Sequence, residues 1–417
     1  MPKLRLDQAP PATLPLRFLF ATPCWGVAGA VLLLVDGDAA WLTRWHPATL
    51  ALVHVWTLGV LGNAMFGSLL QFLPAAVGAP LHGGRGAPWL HVVFNLGVLL
   101  LVIGLHAQAR GPSLAAGILL PTSFAWLAAM TLPGLLATAG ERLLRAGIGT
   151  SLGFGLLAAL AGGALALLLG LRIPWPLAAV DVHAAFGVLG WMVVLLAAVA
   201  RVTMPMFQGT GRVPTFAQGS WLVVLALALP AASAWHLAHE GDRVLPATVA
   251  AGGASFAIAA LWLQWRVPRS RQNALYLHWR AGLLALVLAA MALVAGRGLL
   301  AGALALGIGL PLLVGGMALE IVPFIGWIAL RRRVPRGVQL PGVQRLLADA
   351  SKRRALLAQG AAAPLLVAAV LWPQPWLARL AALAQLVAWV VHGSALASAL
   401  HTARTFLHRV EEHAACP

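Results

Sequence analysis

Twelve uninterrupted apolar runs dominate this chain of 417 residues. They lie at about 16–35, 49–73, 89–106, 114–136, 147–170, 178–204, 218–237, 246–264, 277–296, 300–328, 358–377 and 381–403. Each is near the roughly 20 residues needed to cross a bilayer as a helix. Inside hydrocarbon a single strand or loop leaves backbone amides unpaired, whereas a helix pairs its own. With 61% hydrophobic and 9% charged residues, a water-soluble core is excluded. The expected fold is all-α: a polytopic membrane protein of twelve transmembrane helices.

A net charge of +17 could suggest a nucleic-acid partner, but the charges sit between the apolar runs. With both termini inside, all Lys and Arg fall on the inner side except Arg44, Arg110, Arg172, Arg243, Arg297 and Arg379. That asymmetry is the positive-inside pattern, so the expected partner is a bilayer of the bacterial inner-membrane type and not nucleic acid. The first run is longer than a signal-peptide core and is expected to stay as a helix. Cys24 and Cys416 form no CxxC pair. The polar tail from His408 is expected to fray.

The second, sixth and tenth runs end alike, in LLQFLPAAVG, VTMPMFQGT and LEIVPFIGW, with Pro74, Pro205 and Pro323 spaced 131 and 118 residues apart. Four helices per interval predict three pseudo-repeats, at about 15–137, 147–265 and 276–404. Between the tenth and eleventh runs, residues 331–359 carry eight basic residues and one acid, Asp349. This basic inside loop is either a topology determinant or a short surface helix on anionic lipid.

Ionisable groups inside the bilayer are costly and point to function. His54 lies in the outer third of the second run, and His183 at the same depth in the sixth, two residues after Asp181. His236 and His239 end the seventh run, three apart, sharing a face if the helix extends that far. Neutral imidazole binds copper, iron and zinc, so His183, His236 and His239 are a candidate metal set at the outer level. The bland alternative is that the histidines at helix ends face interfacial water. That alternative is preferred for His46 and His106 and for the inner group His82, His91, His278, His401, His408 and His413. Glu320, the one acid inside the tenth run, is a candidate proton-relay group or a partner of Arg201 or Arg280. Asn63 and Gln71 are candidates for interhelical hydrogen bonds, and Trp41, Trp45, Trp89, Trp175 and Trp376 for interface anchors.

HAAFGVLGWMVVLLAAVARVTMPMF, followed after one span by WHLAH, resembles the centre of heme-copper oxidase subunit I, and HVWTLGVLGNAMFGSLLQFLP resembles its second span. The motifs cover about 48–80 and 180–242; the twelve-helix layout extends the resemblance over most of the chain. It implies a heme b ligated by His54, a copper ion held by His183, His236 and His239, and a respiratory-chain electron donor. Two departures stand out: the tenth run has no histidine, and the only tyrosine is Tyr276. Full oxygen reduction is therefore not expected. The chain is more similar to reduced, oxidase-like proteins of the NnrS type, linked to nitric oxide, and as an enzyme it would be a membrane oxidoreductase acting on a small gas. The tenth run's missing ligand would leave the heme five-coordinate or ligated elsewhere, for example by His392. A transporter or metal-trafficking protein, and a cofactor-free assembly partner of an oxidase, are the competing functions.

Overall fold

The computed structural model describes residues 5–239, 241–268, 272–335 and 337–415. Lys3, Arg269, Arg271, Arg336 and Cys416, and the side chain of His413, lie outside the described set. The described residues form helices and connecting turns, without a strand. Twelve helices are long and apolar enough to cross a membrane: α1 Thr13–Trp41, α2 Pro47–Val77, α3 Gly84–His106, α4 Arg110–Ala137, α5 Arg142–Leu171, α6 Leu177–Gln208, α7 Thr215–Ala238, α8 Val244–Trp265, α9 Ala274–Val294, α10 Gly298–Arg333, α11 Asp349–Leu371 and α12 Pro375–Glu412. The protein is thus a multi-pass, all-helical membrane protein.

Burial sorts the helices into two tiers. The apolar windows of α2, α6 and α10 are 72%, 67% and 67% buried, against at most 50% for any other helix. The remaining nine pack edge to edge in a closed ring, in the order α1, α12, α11, α9, α8, α7, α5, α4, α3 and back to α1. The three central helices are therefore covered mainly by protein.

α2 ends in a short π-helical turn, Leu73–Val77, and each central helix carries a π stretch nearer its start: Val55–Gly62 in α2, Phe186–Val193 in α6 and Ala303–Gly309 in α10. Each begins 19, 19 and 20 residues before Pro74, Pro205 and Pro323. π turns are rare and collect where a helix must re-aim its side chains at a functional position. After the proline, α2 and α6 stop in the same way, on a left-handed glycine four residues later: Gly78 at φ 74° and Gly209 at φ 65°. α10 has Trp327 at the equivalent place and continues to Arg333. It stops there because the residue before Pro335, Val334, turns extended (ψ 132°).

Two boundaries differ from the sequence expectation. The 331–359 segment is not one loop. Arg331, Arg332 and Arg333 form the last turn of α10, where cations suit the helix C-terminus. Val343–Leu346 makes one further turn, and α11 starts at Asp349. The turn between α11 and α12 lies at 372–374, before the expected 378–380. Pro373 forces Trp372 out of the helical region (φ −137°, ψ 78°), and Pro375 opens α12, where it sacrifices no hydrogen bond. A count of apolar residues passes straight through this WPQP stretch.

Candidate metal site

His54 is the last α-helical residue before the π stretch of α2, and His183 lies three residues before that of α6. The structure brings these two rings together, with centroids 6.2 Å apart and planes within 13° of parallel. Each ring is pinned on the same nitrogen. His54 Nδ1–H donates to the Leu50 carbonyl one turn back (2.7 Å), and His183 Nδ1–H donates across to the Ala158 carbonyl of α5 (2.9 Å). A backbone carbonyl on Nδ1 fixes the tautomer and leaves Nε2 as a bare lone pair, which is how ligating histidines are commonly oriented. Neither Nε2 has a hydrogen-bond partner among the described residues.

Small residues on α5 make room for this arrangement. A Cβ on Gly162 would lie 2.6 Å from His183 Cε1 and 3.0 Å from its Nδ1. Gly162→Ala is therefore expected to push the imidazole off the Ala158 carbonyl, and two-dimensional NMR of labelled histidine would show the His183 tautomer change. The rings border a cavity of about 250 Å³ whose wall is otherwise almost wholly apolar and includes Phe124, Trp175, Trp191 and Met192. The Thr57 hydroxyl in the wall is already spent on Val53 O (2.8 Å).

The other predicted site residues go elsewhere. α7 ends at Ala238, and His239 leaves the helical region (φ −130°, ψ 81°), so it does not share a face with His236. His239 is exposed, stacked on Trp235 at 3.9 Å, with Nδ1–H donating to the Trp235 carbonyl. His236 is buried, its Nε2 3.4 Å from Asp181 Oδ2 and its Nδ1 without a hydrogen bond. Asp181 does not orient His183. Residues two apart point to different sides of a helix, and Asp181 instead takes a two-pronged contact from Arg44 (2.5 and 3.1 Å). Among the described residues, no three His, Cys, Asp or Glu side chains gather to hold a metal. His183, His236 and His239 do not form the predicted trio; His183 is matched with His54 instead.

Glu320 is paired, but with neither predicted arginine. Its Oε1 accepts from Lys352 Nζ at 2.6 Å, across from α10 to α11, with both side chains largely buried. Arg201 is held by Glu141, and Arg280 by the Tyr276 hydroxyl. Lys352 falls in the segment expected to be a loop, and the structure places it in the first turn of α11. His392 sits in the third part of the bundle. It is fully buried, with no hydrogen-bond partner, its ring against Gly315 of α10 and edge-on to Trp389.

Two neutral imidazoles, pinned and parallel, suit a borderline or soft transition metal, copper above all. A tetrapyrrole is a poorer match. The cavity is below the roughly 300–1,000 Å³ usual for organic ligands, so side chains would have to move to admit one. No protein-family model matches the chain, and no curated protein matches it significantly.

Proposed function

We propose that this is an oxidase-like, metal-binding protein of a bacterial-type inner membrane, in which His54 and His183 hold one copper ion near the outer face. The observation that carries this reading is the paired geometry. Two imidazoles from two central helices have both Nδ1 atoms tied to carbonyls and both Nε2 atoms free beside an apolar cavity. Bound there, copper would supply one-electron chemistry toward a small gas such as nitric oxide; the apolar wall favours an uncharged diatomic over ions. Further support comes from the equal placing of the π stretches before Pro74, Pro205 and Pro323, as three pseudo-repeats would produce. The basic residues of the α10–α11 segment agree with an inside location for both termini.

A second reading keeps heme b at this site. Parallel imidazoles some 6 Å apart also suit two axial ligands of one iron, and the cavity would then have to open. An optical spectrum and metal analysis of the detergent-purified protein separate the two. One copper per chain, with affinity lowered about 100-fold or more in His54→Ala and in His183→Ala, is the expected result; loss of an outer-shell partner alone typically costs 10–100-fold. A reducible Soret band lost in either variant would replace copper by heme. A colourless, metal-free protein from cells supplied with both would leave transport or oxidase assembly as the function.

A further inference from the structure

A cleft of about 230 Å³ opens between α6, α7 and α8, at the end of the bundle where α6 passes into α7. Its floor is buried and apolar, made by Ala197, Ala200 and Met204 of α6 and Phe256, Ala260 and Leu263 of α8. Its rim is exposed: Gly211 and Arg212 of the turn, Ala217 of α7 and Ser255 of α8. Ser255 lies at the middle of α8, so the opening runs along the side of the bundle and not only across its end. The side of a multi-pass protein faces lipid, so lipid is the solvent of this cleft.

The polar groups of the wall are already used, with one exception. Arg201 is held by Glu141, Val213, Thr215 and Gln218, and the Gln218 amide nitrogen donates to the Ala197 carbonyl (3.0 Å). Trp221 Nε1–H donates to Ser255 Oγ (2.8 Å), which itself donates to the Gly252 carbonyl (2.9 Å). A buried water needs two to four polar partners, so this wall suits an apolar occupant. The exception is Arg212. It is exposed, has no hydrogen bond or ion pair among the described residues, and no carboxylate lines the cleft. An occupant with an anion at one end would complement it, and the planar fork of a guanidinium matches phosphate.

Depth agrees with a headgroup at Arg212. α8 ends beside the cleft with Trp262 and Trp265 exposed and Arg266 stacked on Trp262 at 3.8 Å. Aromatic and basic residues together at a helix end mark the membrane–water boundary. Leu263 of the floor belongs to the same last turn, so the floor runs from that boundary into the hydrocarbon.

We infer that the cleft between α6, α7 and α8 holds one anionic phospholipid, with its phosphate on Arg212 and an acyl chain along the apolar floor. The site is separate from the histidine pair and stands or falls independently of it.

Native mass spectrometry of the detergent-purified full-length protein, titrated with anionic phosphatidylglycerol or zwitterionic phosphatidylcholine, tests the assignment. The expected result is one phosphatidylglycerol held per chain, in preference to phosphatidylcholine. Arg212→Gln should weaken that binding about fivefold, the effect of one basic residue at a lipid surface, and bring the two lipids level. Arg212→Lys should keep the preference. Ala259 lines the cleft and is half-buried, so Ala259→Phe should fold, fill the space and displace both lipids. Phosphatidylglycerol with a photoreactive acyl chain should label segments 197–204 and 255–263 in the parent protein and not in Ala259→Phe. Equal binding of the two lipids by the parent, unchanged binding in both Arg212→Gln and Ala259→Phe, or labelling elsewhere on the bundle would overturn the site. Displacement of the lipid by millimolar inorganic phosphate would also overturn it, and assign Arg212 to a soluble phosphate instead.

Discussion

Lys352→Met is expected to destabilise the protein by about 3–5 kcal/mol, the usual cost of leaving one member of a buried ion pair without its partner. The Lys352 and Glu320 side chains are 9% and 13% exposed and meet at 2.6 Å between α11 and α10. Without the ammonium, the Glu320 carboxylate has water on little of its surface, in a region where hydrocarbon surrounds the bundle. The matching prediction is recovery. Glu320→Gln/Lys352→Met removes both charges with little change in volume, and it should regain most of the lost stability, because buried pairs add little over apolar packing of the same shape. Reversible unfolding in detergent or bicelles, followed by tryptophan fluorescence, reads both values. A double variant no better than Lys352→Met would place the loss in packing, with the charge irrelevant. Recovery would also weigh against Glu320 as an obligatory proton-relay group, provided the protein's metal content and redox response survive.

Arg201→Leu should rank second, at about 3 kcal/mol, the lower end of the same range because Glu141 is 35% exposed and water partly covers its loss. Arg201 itself is almost wholly buried near the C-terminal end of α6. Its guanidinium contacts Glu141 at the start of α5, the Val213 carbonyl (2.9 Å), Thr215 Oγ1 (2.8 Å) and Gln218 Oε1 (3.1 Å). One side chain therefore ties α5, α6 and the turn into α7. Arg201→Lys keeps the charge but not the planar fork, so it should recover only part of the stability. Protease accessibility of residues 209–214 should rise in parallel. If Arg201→Leu unfolds like the parent protein, the turn is held by its prolines and the apolar contacts alone.

The candidate residues were legible in the sequence, but the side chains they pack against were not. His54 and His183 stood out because an imidazole in an apolar run is expensive wherever the helix is placed. Their pairing needed the bundle. His183 reaches His54 because Gly162 of α5 leaves space for its ring and Ala158 offers a carbonyl; neither residue attracts notice in a line of Gly and Ala. His236 and His239 looked equivalent by spacing and diverged because the helix ends between them.

What the sequence determined by itself follows from solvent physics that acts locally. Apolar runs of bilayer length must be helices, so the all-helical class and the number of candidate spans needed no tertiary information. Proline and glycine positions likewise set where α2, α6 and α10 change course. Only the tertiary structure decided which three helices are central, which imidazoles meet, and that Glu320 finds Lys352. Those outcomes depend on how side chains of different helices interlock at ångström scale. In a chain so uniformly apolar, hydrophobic pattern does not tell a face turned to lipid from one turned to another helix.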